Sequence, residues 1–126
     1  MAITAATFRK LALALPDAVE GEHHSHPDFR LNGRVFASLH PDGVRAMVRI
    51  APGADQERLV VQDPAAWSLA NGAWGRGGCM MLVLARAQRS VVQAALTEAW
   101  QVAVAQAPAK PRRKQPVPRS NKKPRR

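Results

Sequence analysis

Hydrophobic positions change their spacing along the chain, and each spacing predicts an element. Phe8, Leu11, Ala12 and Leu15 recur at helical intervals behind Thr4 or Thr7, either of which can cap the helix, and Pro16 ends it. From Asp28 the period falls to two. Residues 28–31 and 34–39 flank Asn32-Gly33, a pair that tolerates the positive φ a type I′ turn demands, so the two runs form a hairpin. Residues 40–43 make a second turn, and residues 44–50 alternate as the third strand of a meander. Residues 79–84 are a continuous apolar run, the pattern of a strand buried on both faces. Val92, Leu96, Ala99, Trp100 and Ala103 stripe one side of a helix over residues 90–105. Residues 55–62 read as a short helix, although Val60-Val61 also suit a strand. Residues 18–27 read as a polar, histidine-rich loop, and residues 64–78 as a connection ending in a glycine-rich turn. The order predicts an α+β fold: N-terminal helix, antiparallel sheet of the meander plus at least one later strand, and a C-terminal helix packed on the sheet.

Register turns this pattern into a surface. A two-residue loop at Asn32-Gly33 sets Leu31 against Arg34 and Phe29 against Phe36. A four-residue loop at 40–43 sets Leu39 against Val44, Phe36 against Met47 and Arg34 against Arg49. One face then collects Val35, Ala37, Leu39, Val44, Ala46, Val48 and Ile50, an evident core face. The other collects Phe29, Leu31, Arg34, Phe36, Ser38, Arg45, Met47 and Arg49. Arginines bind phosphate and exposed rings stack on splayed bases, so this second face is a candidate nucleic-acid surface. The competing reading lays a helix over its middle, burying Phe29, Phe36 and Met47 and leaving the arginines at the rim. The apolar run at 79–84 favours that cover.

Charge sharpens the picture. Residues 1–108 hold ten Lys/Arg against nine Asp/Glu, a net of +1; residues 109–126 hold nine Lys/Arg and no acid, which completes the formal +10. Those nine are Lys110, Arg112, Arg113, Lys114, Arg119, Lys122, Lys123, Arg125 and Arg126. Such a segment lacks the apolar surface to offset ordering, and Pro111, Pro116, Pro118 and Pro124 keep it extended. Residues 1–107 are expected to form one α+β domain and residues 108–126 a disordered basic tail that meets polyanions, nucleic acid above all. No run reaches the ~20 apolar residues of a membrane helix, and the apolar stretch after Lys10 is too short for a signal peptide. The single cysteine excludes an internal disulfide. A cytoplasmic monomer with no membrane partner is the expectation.

Specific chemistry is sparse. His23-His24-Ser25-His26 could ligate a transition metal, but no second His or Cys cluster completes a site, so no metal or cofactor is expected. Trp74-Gly75-Arg76-Gly77-Gly78 could form an anion nest beside Arg76, or simply a tight turn. Cys79 lies inside a predicted core strand, where a thiolate is disfavoured, and no nucleophile elbow or carboxylate pair is visible. A non-enzymatic role is therefore expected, with Trp67, Trp74 and Trp100 read as core residues.

Leu15-Pro16-Asp17-Ala18-Val19-Glu20, the stretch from His26 to Ala37, Trp74-Gly75-Arg76-Gly77-Gly78 and Ala99-Trp100 together resemble the MmcQ/YjbR family over roughly residues 5–105. The resemblance implies a central antiparallel sheet with flanking helices and a DNA-binding label drawn from a double-wing shape. Gly77 departs from it, standing where a second basic or polar residue is expected. The combined expectation is a small DNA-binding protein of low sequence specificity, DNA ahead of RNA. Its phosphate contacts come from the basic tail and from Arg34, Arg45, Arg49 and Arg76. The alternative is a small-molecule or peptide-binding domain, built on the His23–His26 loop and the Trp74–Gly78 turn, with the tail as a tether.

Overall fold

The computed structural model describes residues 3–23 and 26–106. The nine cations from Lys110 to Arg126, and His24, lie outside the described residues. Helix α1 (Ala5–Leu13) starts where Thr4 Oγ1 accepts the Thr7 amide at 3.1 Å. Six strands follow, interrupted by helices: β1 (Val19–His23), β2 (His26–Leu31), β3 (Arg34–Leu39), β4 (Arg45–Arg49), β5 (Trp67–Leu69) and β6 (Cys79–Val83). Helix α2 (Ala54–Gln62) joins β4 to β5, the five-residue α3 (Gly72–Arg76) joins β5 to β6, and α4 (Arg89–Ala105) closes the described chain. All pairings are antiparallel, in the order β1-β2-β3-β4-β6-β5.

The expected α+β architecture is present, with α1 and α4 laid on one face of the sheet. Phe8 of α1 meets Phe29 of β2 at 6.1 Å between ring centroids, and both are fully buried. Trp100 Nε1 donates to the Pro16 carbonyl at 2.8 Å, tying α4 to the end of α1. Asn32 and Gly33 take φ values of 53° and 81°, as the type I′ hairpin requires.

Of the segment expected to be a loop, Val19–His23 is strand β1 and His26-Pro27 begins β2. β1 pairs with β2 along its whole length, and its polar composition suits an edge strand that covers little core. The glycine-rich turn is instead the one-turn helix α3. A Cβ on Gly75 would sit 2.0 Å from the Ala70 carbonyl oxygen. Gly78 takes φ +110°, and its Cβ would sit 2.0 Å from the Ile50 carbonyl oxygen. Both approaches admit only glycine.

The largest correction concerns the faces. A bulge in the β2–β3 pairing sets Phe29 against Ala37 rather than Phe36. Phe29, Leu31 and Phe36 thereby join Ala37, Leu39, Ala46, Val48 and Ile50 in the core, under the helices. Val35 moves to the opposite face, beside Asp28 and Ser38. The second hairpin also slips by two: Leu39 pairs with Ala46 and Ser38 with Met47. Asp42 causes this slip, because its Oδ1 accepts the amides of Val44 and Arg45 at 2.8 and 3.1 Å and draws Val44 into the turn. Val44 is accordingly exposed, not a core residue.

Candidate functional site

Among the described residues, the face away from α1 and α4 is roofed only at the β6 end, where α3 lies over Cys79. The continuous apolar run of β6 thus splits: Met80 and Leu82 enter the core, whereas Met81 and Val83 stay half-buried on the open side. Cover on both faces, expected from that run, exists only at Cys79. Two adjoining depressions of ≈ 280 and ≈ 290 Å³ cross the open face and share Ser38, Met47 and Trp74. His26, Asp28 and Val35 border one; His40, Asn71 and Met81 border the other.

Trp74 is not a core residue. The close approach of Gly75 to Ala70 fixes α3 with the preceding indole turned outward, 73% exposed. Asp28 contrasts with it in exposure, 1% exposed at the floor. Arg30 Nε and Nη2 donate to Asp28 Oδ1 and Oδ2 at 2.8 and 3.0 Å, a two-point pair that neutralises the carboxylate. That hydrogen bonding to Asp28 raises the guanidinium pKa above its ordinary value. Gly21 makes room for the pair, since a Cβ there would stand 2.9 Å from Asp28 Oδ1. The rings of His26 and His40 stack at 6.3 Å and 16°. Burial first, then the nearby Arg45 charge, lowers the His40 pKa and favours the neutral imidazole.

The four body arginines do not share one patch. Arg34 and Arg49 line a single crease with Val102, Ala103 and Gln106, at the end of α4. Arg45 stands at the other end of β4, four residues or roughly 13 Å away along the strand. It bonds Asp42 through Nε at 3.0 Å and Nη2 at 2.9 Å. The Val44 amide is the first reason the Asp42 pKa drops to about 2. Arg76 is exposed at the end of α3. The nest considered beside it has its amides engaged: Gly77 N donates to the Ala73 and Trp74 carbonyls, and Gly78 N to the Gly75 carbonyl.

His23 pairs in register with His26 across β1 and β2. No group of three or more His, Cys, Asp or Glu capable of holding a metal occurs among the described residues. Burial pushes the Cys79 thiol pKa up against the opposing pull of Arg49. His40, the Asp28–Arg30 pair and the outward Trp74 escaped the sequence reading. The i,i+2 spacing of Asp28 and Arg30 on one strand face was the available signal for the pair.

A family model, YjbR, matches residues 13–102. The chain belongs to the YjbR family. The YjbR architecture also aligns with the crystal structure of Deinococcus radiodurans protein DR2400, whose domain is DUF419. That alignment has a TM-score of 0.67 at 15% identity and covers 81% of this chain and 79% of that one. At that identity the likeness establishes the fold alone. No curated protein matches. No helix among the described residues of this YjbR chain is long and apolar enough to cross a membrane.

Proposed function

We propose that this YjbR protein binds nucleic acid, DNA ahead of RNA and with low sequence specificity, and is a binding protein rather than an enzyme. One observation carries the reading. Gln106, the last described residue, sits in the crease that holds Arg34 and Arg49, and the chain that leaves there carries nine cations and no acid. The basic segment thus follows in sequence directly after a residue that shares a crease with two arginines. Phosphates neutralised by these cations release condensed counterions, which supplies affinity without reading bases. If six or more cations engage, affinity falls by roughly 10³-fold or more between 50 and 200 mM salt. Removing residues 109–126 abolishes most low-salt binding to a labelled duplex. Unchanged binding after that deletion would refute the assignment of affinity to the segment.

The groove between His26 and Trp74 favours a second reading, a small-molecule or peptide site, because it joins the two places singled out for one. That reading requires salt-insensitive binding that survives loss of residues 109–126.

A further inference from the structure

We infer that the open sheet face, from Trp74 across Met47 and Ser38 to His26, is a seat for unstacked bases, which makes single-stranded nucleic acid the preferred ligand. This rests on the nucleic-acid reading above and goes beyond it by naming the form of the polymer and the surface that selects it.

The chemistry of the face matches a base, not a duplex. A duplex turns its phosphates outward and keeps base faces stacked, so a recessed apolar floor gains nothing from it. A single strand can splay a base flat against an exposed ring, and every base has such a face to offer. Trp74 provides the ring at 73% exposure, and Met47 and Met81 provide the polarisable floor. Ser38 and His40, which line the depression, carry hydrogen-bonding atoms that could meet a base edge.

The neutral floor suits the same occupant. The floor carboxylate, which would repel phosphate, is already neutralised by Arg30. Arg45 is held by Asp42 and Arg49 lies in the crease beside α4, so neither lines the trough, and its uncharged floor suits the flat face of a base rather than a phosphate. The trough also offers the chain's own basic segment little to pair with, because Asp28, the acid in its lining, is already held by Arg30.

The test uses the full chain with fluorescein-labelled oligothymidylate and a duplex of equal length, for the natural protein, Trp74→Ala and Trp74→Phe. The single strand is expected to bind more tightly, and its advantage is expected to widen as salt rises. Trp74→Ala weakens single-strand binding about 5- to 150-fold, the range for losing a base-stacking ring. It leaves duplex binding and the melting temperature in place, and Trp74→Phe restores most of the loss. If Trp74→Ala weakens both polymers equally, or neither, the base seat is refuted while the nucleic-acid reading stands. If the natural protein binds neither polymer at low salt, both fall.

Discussion

The two faces of one sheet divide the work of this molecule. Under α1 and α4, Phe29, Phe36, Val48 and Met80 are sealed among apolar neighbours, and volume decides what fits. Across the same strands, Met47, Met81 and Val83 remain half-buried, the acid is matched by an arginine, and an indole stands in solvent. Adjacent residues thus answer to different requirements, stability on one side and contact on the other. Substitutions on the two faces should therefore separate melting temperature from binding.

The largest effect on stability is expected on the covered face. Phe36→Ala removes a buried ring and should cost about 3–5 kcal/mol, read as a lowered denaturation midpoint. Unaltered stability would mean that β3 carries no bulge and Phe36 faces solvent. Next comes the floor of the open face. Asp28→Asn breaks the Arg30 pair, and because the Arg30 side chain is 35% exposed the cost is held to roughly 1–2 kcal/mol. Trp74→Ala should change stability by less than about 0.5 kcal/mol, since the indole touches little that it holds together. A large destabilisation there would erase the contrast between the faces.

The smallest effect concerns pH. Asp42, with its pKa lowered from 3.8 to about 2, contributes stability that is fully present above pH 3.8 and lost as pH falls through about 2. Asp42→Asn should flatten the acid unfolding profile within that window, read as the denaturation midpoint against pH.

Element order was legible in the sequence because periodicity records which side of an element is apolar. α1, the meander, α2, β6 and α4 all announce themselves this way. β1 does not, because an edge strand reading Val-Glu-Gly-Glu-His has no buried side to record. The faces were misassigned for a different reason. One bulge residue at Phe36 inverts every side chain before it, and no composition signal marks a bulge. Sequence alone places Trp74 in the core because tryptophan usually is buried. Its exposure follows from Gly75 being pressed against Ala70, a contact only the folded chain reveals. Of the candidate arginines, Arg34 and Arg49 converge at the end of α4, whereas Arg45 and Arg76 stand apart. The cations beyond residue 107 are legible as charge alone.

The division between ionic attraction and face contact is tested most directly by the salt dependence of oligothymidylate binding to the full chain and to Trp74→Ala. Two parallel lines of log K against log salt are predicted, each with a slope near about −4 for six neutralised phosphates, the variant displaced to weaker binding. Superimposed lines, or no measurable complex in dilute salt, would contradict the account.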